Sequence, residues 1–151
     1  MIEYNSYVDT MKHRIDVHSY MLKLTKIIDK RSREHDATKL DPIEKEIFDK
    51  VTPKLKTLTY GSDEYNEQLK EMDKALKHHY KNNSHHPEHY EDGISGMDLI
   101  DLVEMICDWK AASERHDDGD IMKSIEINQK RFGYSDELKS ILRNTVERHL
   151  K

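Results

Sequence analysis

The chain has one cysteine, three prolines, five glycines and one tryptophan in 151 residues, and each scarcity narrows what the protein can be. A single cysteine, Cys107, cannot form an intramolecular disulfide, which fits a reducing cytoplasm. Few breakers leave long uninterrupted segments, and alternating β-branched runs are nearly missing, so a β architecture is not expected. No segment approaches the about 20 apolar residues that cross a bilayer. The opening MIEYNSYVDT lacks the basic start and apolar stretch of a secretory leader. A net charge of −5 without a long basic run argues against a protein that holds nucleic-acid backbone. A Gly-rich phosphate loop is missing too, since YGSDEY does not have the pattern. A soluble, cytoplasmic protein is expected, with neither membrane nor nucleic acid as partner.

Apolar residues make up only 35% of the chain and charged residues 36%. Their spacing, however, is helical, and an all-α single domain over residues 1–151 is expected, with about six to seven helices. The first helix is predicted over Ser6 to Arg31, with two overlapping stripes: Met11, Ile15, His18, Leu22 and Thr25, and His13, Val17, Met21, Leu24 and Ile28. In DPIEKEIF, Asp41 is a predicted N-cap, Pro42 the first helical residue and Glu44 the closing member of a capping box. VTPKLKTLTYGS reads as a break, after which Ser62 caps a helix whose apolar face is Tyr65, Leu69, Met72 and Leu76, continued by His79. A helix from Met97 carries Asp101, Glu104 and Asp108 on one face. In its apolar run Cys107 reads as a small core residue, and Trp109 as core rather than a stacking platform. Two further helices follow, the last capped by Ser135.

Against these scarcities stand ten histidines, five of them in HHYKNNSHHPEH, residues 78–89. Imidazoles this dense point to a metal site or a pH-sensing surface. The shorter motif HDATK, His35 to Lys39, can supply an imidazole and a carboxylate to metal, while Lys39 can reach an anionic substrate oxygen. Further donors are available in His13 or His18, His79, His85, His86 and Asp108. His78 points away from the apolar stripe and is expected in solvent, as are His89, His116 and His149.

The order His, His-Asp, His, His, Asp resembles the HD superfamily of metal-dependent phosphohydrolases. HHPEHYEDG is similar to a segment of the HD-GYP phosphodiesterases, without their downstream Gly-Tyr-Pro. The set HDATKL, YGSDEY, HHYKNNSHHPEHY and LIDLVEMICDWKAAS resembles a family of HD-like proteins from bacteria and their phages. The resemblance implies an HD-like helical bundle with His13, His35, Asp36, His79, His85, His86 and Asp108 as metal ligands, His13 favoured over His18 and His86 over His85. Lys39 then contacts phosphate, and Glu104 and Asp101 hold water or support the ligands.

Such a set suits one or two ions of Mn, Fe, Co, Ni or Zn better than Mg, which prefers oxygen. The expected activity is hydrolysis of a small phosphorylated molecule, a nucleotide foremost, through metal-activated water, with Asp36 bridging two ions. A di-iron oxygenase on the same fold and a non-enzymatic metal-containing binding protein are the alternatives.

Overall fold

The computed structural model describes residues 4–55, 57–58, 63–115 and 119–151, with the backbone alone at 65, 66 and 69. Among these residues there are helices and no strands, in agreement with the all-α expectation. Seven α-helices follow in order: α1 (Ser6–Glu34), α2 (Pro42–Leu55), α3 (Asp63–Glu71), α4 (Asp73–Asn82), α5 (Leu99–Ser113), α6 (Ile121–Phe132) and α7 (Asp136–His149). Short 3₁₀ turns at Ala37–Leu40, Pro87–His89 and Gly93–Gly96 connect them. No helix is long and apolar enough to cross a membrane among the described residues.

The chain divides into two compact units, residues 1–34 and 35–151. The first contains α1, which runs three residues beyond the predicted end and has no buried residue. Ile15, Val17, Met21, Leu22 and Leu24, members of its two stripes, are all exposed.

The second unit has two centres of burial. Met105 and Ile106 of α5, Ile125 of α6, Tyr134, and Leu142 and Val146 of α7 form an apolar core. Trp109 packs on its edge, stacked nearly parallel to Phe132 at 6.3 Å, as the core reading of that residue required. Cys107 is a correction: it is exposed. Leu99 and Val103 are exposed on the same side, and spacings of four residues carry Cys107 onto their face of α5. The apolar run thus winds around the helix, and its outer face takes the thiol.

The other centre lies where α2 meets α4. There Val51, Met72 and Ala75 are buried with the polar Glu44, His79 and Asn83, and burial of polar groups continues to His85 in the loop after α4 and Asp101 of α5. The predicted stripe ending in His79 is therefore real where it is described. Ser62 and the side chains of Tyr65 and Leu69 lie outside the described residues. Pro53 does not break α2, which continues to Leu55. In the last turn a proline forfeits little beyond its own hydrogen bond, so the break arrives after it.

Local signals set the remaining boundaries. Asp98 caps α5 in a capping box with Asp101, Asp120 caps α6, and Ser135 caps α7 as predicted by accepting from the Leu138 N–H. Gly133 ends α6 at φ 67°, a left-handed conformation that glycine adopts without a Cβ penalty.

Candidate metal centre

The His35-Asp36 dipeptide follows directly on the end of α1, and Asp36 takes up φ 55° and ψ 17°. It is the sole non-glycine residue with positive φ among those described. Aspartate tolerates this left-handed conformation better than most residues, and it costs other L-residues about 1–2 kcal/mol. Its effect is to turn two consecutive side chains toward one point. His35 Nε2 stands 3.5 Å from Asp36 Oδ2 and 3.6 Å from Asp108 Oδ1 of α5.

The other donors converge on the same carboxylate. His79 Nε2 lies 3.2 Å and His85 Nε2 3.5 Å from Asp36 Oδ1. The Nε2 atoms of His79 and His86 are 2.9 Å apart. The rings of His85 and His86 are centred 4.1 Å apart, and those of His35 and His85 4.6 Å apart. Three donor groups result: Asp36, His79, His85 and His86; His35, Asp36 and Asp108; and His35, His85 and Glu104, each with ligand atoms within 4.8 Å of one another.

A loop with only short 3₁₀ turns has to be held firmly to present His85 and His86. Asp101, buried on α5, does this through three groups: it accepts from Ser84 Oγ at 2.7 Å, Tyr90 Oη at 2.7 Å and the Asp98 backbone N–H at 3.0 Å. Gly96 allows the loop to close, because a Cβ there would fall 2.8 Å from Tyr90 Cβ. At the other end, Asn83 donates to the His79 carbonyl and to Thr38 Oγ1, each at 2.8 Å, tying α4 to the turn that carries Asp36.

Two carboxylates stand behind the imidazoles. Glu104 Oε1 is 2.8 Å from His35 Nδ1 and 3.1 Å from His85 Nδ1. Glu44, with no exposed surface, places Oε1 at 2.7 Å from His78 Nδ1 and Oε2 at 2.9 Å from His79 Nδ1. Neither Glu44 nor His78 has the environment expected from the sequence. Glu44 turns into the interior toward α4 instead of serving the start of its own helix, and His78 is half-buried against it rather than solvated. Lys39 pairs with Asp36 Oδ2 at 2.5 Å and lies over the Phe48 ring.

The ionisation pattern follows from these neighbours. The Asp108 and Glu104 carboxylates push the His35 imidazole up to about 10 against the effect of its burial. Burial first, and then the neighbouring imidazoles of His85 and His79, pull His86 down to about 3, so its lone pair is available at neutral pH. Burial alone would raise the Asp36 carboxyl, but His79 and Lys39 hold it well below the usual carboxylate range. Asp108 is also lowered, its burial outweighed by His35.

Whether this pocket fits an ion can be judged from its donors. Asp36 Oδ1 and His85 Nε2 are buried without a hydrogen-bond partner, although 3.5 Å apart. Buried polar atoms without partners are rare in native proteins and point to an ion or water between them. Tetrahedral bonds of about 2.0–2.1 Å set donors roughly 3.3 Å apart, close to the 3.2 and 3.5 Å separating His79 and His85 from Asp36 Oδ1. Imidazole nitrogen with carboxylate oxygen suits Zn, Fe, Mn, Co or Ni.

Of the residues expected to act, His35, Asp36, Lys39, His79, His85, His86, Glu104 and Asp108 are gathered in the second unit. His13 and His18 belong to α1, and both are exposed there. His89 and His149 are exposed as expected, and His116 lies outside the described residues. Glu44, Thr38 and Asn83 were not singled out as site residues, though Thr38 and Asn83 stand inside the motifs HDATK and KNNS.

Over residues 2–150 the sequence matches a family described as "Family of unknown function (DUF5662)". The chain belongs to that family. No curated protein and no solved structure matches it. For this DUF5662 member, the arrangement of its own side chains therefore carries the functional argument.

Proposed function

We propose that this DUF5662 protein is a metal-dependent phosphohydrolase of the HD type, acting on a small phosphorylated molecule, nucleotides being the first class to try. The observation that supports this reading is the sharing of Asp36. Its Oδ1 faces His79 and His85 at 3.2 and 3.5 Å, and its Oδ2 faces His35 at 3.5 Å. A carboxylate with imidazole donors on both oxygens would suit a divalent ion on either side of it.

Bound there, divalent ions supply Lewis acidity toward a phosphoryl oxygen and a water nucleophile at neutral pH. The chain's own residues do the rest. Lys39, partly exposed beside Asp36, is the cation within reach of an anionic substrate oxygen. Glu104 keeps His35 and His85 oriented, and Asp108 draws the His35 ring toward the shared carboxylate. Burial of His79 and His85 removes competing solvent from one side of the centre.

The test is metal content per chain by elemental mass spectrometry, on wild type and Asp36→Asn purified without chelator or affinity tag. About one or two transition-metal ions in wild type, and fewer in the variant, are expected, followed by phosphate release from a nucleotide and phosphoester panel. Protein that carries no metal and cannot be reloaded would overturn the reading.

A second reading has its own support. Three carboxylates, Asp36, Glu104 and Asp108, mixed with imidazoles also suit a di-iron pair that activates oxygen. Iron in the preparation, a visible absorption band and oxygen consumption would favour it. Tight metal binding without turnover in either assay would favour a non-enzymatic metal-containing binding protein.

A further inference from the structure

We propose that Glu44 is a positioning residue, which keeps a ring hydrogen of His79 on Nδ1 and so leaves Nε2, beside Asp36 Oδ1, as the nitrogen that a metal can take. The inference rests on the metal reading above but concerns a residue which that reading does not use. Glu44 is fully buried on the first turn of α2, where a carboxylate facing solvent would ordinarily serve the helix start. Instead each of its oxygens meets a different imidazole: Oε1 the half-buried His78 and Oε2 the buried His79.

The partners of His79 Nδ1 indicate which ring nitrogen keeps its hydrogen when a metal takes the other. Glu44 Oε2 is the nearest partner at 2.9 Å and, as a carboxylate, can only accept. Thr38 Oγ1 and Asn83 Nδ2 stand farther off, each at 3.2 Å. Asn83 already spends its two amide hydrogens on Thr38 Oγ1 and the His79 carbonyl. With Nδ1–H donating to Glu44, Nε2 is left as a donor atom, and it is Nε2 that faces Asp36 Oδ1 and His86. Glu104 has the same relation to His35 and His85, accepting at Nδ1 of both while their Nε2 atoms face Asp36. Two carboxylates thus support three histidines. Partners of this kind, fixing tautomer and ring angle, typically govern metal affinity by about 10–100-fold.

Removing the acceptor has a defined consequence. In Glu44→Met, of similar size, the Thr38 hydroxyl is the group left near Nδ1 that has a hydrogen to donate to it. The ring then favours hydrogen on Nε2, which closes that atom to a metal. In Glu44→Gln the amide oxygen can still serve His79 while the amide N–H faces His78.

The experiment combines long-range ¹⁵N–¹H NMR of the histidine rings in metal-free protein at pH 8 with Zn²⁺ affinity from chelator competition. Expected are a protonated Nδ1 for His79 in wild type and a move of hydrogen to Nε2 in Glu44→Met. The same variant should lose about 10–100-fold in Zn²⁺ affinity, with most of it restored by Glu44→Gln. A wild-type His79 carrying its hydrogen on Nε2 alone would overturn the proposal, as would Glu44→Met binding Zn²⁺ within about threefold of wild type. The wild-type spectrum needs no variant, so a misfolded Glu44→Met leaves that criterion in force. Wild type that binds no Zn²⁺ would sink the metal reading separately, while the ring spectra still decide the role of Glu44 in orienting His79.

Discussion

The second unit contains two interiors that obey different rules. Around α5, α6 and α7 the buried residues are Met105, Ile106, Ile125, Leu142 and Val146, with one tyrosine whose hydroxyl donates to the Ile125 carbonyl. Where α4 and its following loop meet α2 and the inner face of α5, the buried residues are Glu44, His79, Asn83, His85 and Asp101. The first kind of interior gains free energy from removing apolar surface from water, about 25 cal/mol per Å². The second loses hydration of charged and polar groups and recovers it only through directed contacts. A chain of this size gains little stability from burying such a cluster, so its presence signals a site. The contrast shows that stability and chemistry reside in separable parts of the same bundle.

The largest expected effect falls in the apolar interior. Ile125→Ala should destabilise the protein by about 2–5 kcal/mol, through lost transfer energy and the cavity left behind. Its metal affinity per folded molecule should hardly change. Urea denaturation and chelator competition on the same samples check both halves. If affinity falls in step with stability, the two interiors are not separable.

The converse substitution should empty the site and spare the fold. Asp36→Asn keeps a residue tolerant of the left-handed backbone but removes the shared charge, and metal affinity should drop by about two orders of magnitude with the helical circular dichroism unchanged. An affinity within a few-fold of wild type would mean that Asp36 is not the common ligand.

The bracing of the loop should give an intermediate effect. Asp101→Asn replaces an acceptor of three hydrogen bonds with a side chain that has one acceptor oxygen. A loss of about 1–3 kcal/mol is expected from unfolding curves, and metal affinity should weaken by less than in Asp36→Asn. Gly96→Ala, forced against Tyr90, should resemble it.

pH sharpens the comparison most gently. The His35 imidazole is raised from about 6.5 unfolded to about 10 folded. Its contribution to the metal-free protein is therefore fully present below about pH 6.5 and lost as pH rises through about 10. A ligand must give up that proton, so metal affinity should rise over the same interval. Melting temperatures of metal-free wild type and His35→Gln should converge as the pH is raised from 7 to 10. A gap that widens would refute the assignment.

Much of this was legible in the sequence because residue type and local period carry it. The helices followed from spacing, the Ser135 cap from its side chain, and the candidate set of His35, Asp36, His79, His85, His86 and Asp108 from the HD-family order that the chain resembles, an order that also named His13 of α1. Glu44 was not legible. A glutamate three residues beyond an N-cap is the pattern of a capping box, and no local period can show that a later helix offers it two imidazoles 34 and 35 residues on. Cys107 misled for a related reason, because an apolar run longer than one helix face must place some members outside. The stripes of α1 likewise record an amphipathic helix without recording what surrounds it.

The triple engagement of Asp101 has a consequence in time. Residues 84–98 have only two short 3₁₀ turns, a composition that ordinarily means rapid opening. Yet their side-chain and backbone ties end on a buried carboxylate in the first turn of the most apolar helix, so the segment cannot open without uncovering that charge. Amide hydrogens within it should exchange on the clock of α5 rather than that of a loop, and His85 and His86 would then meet an incoming ion already in place.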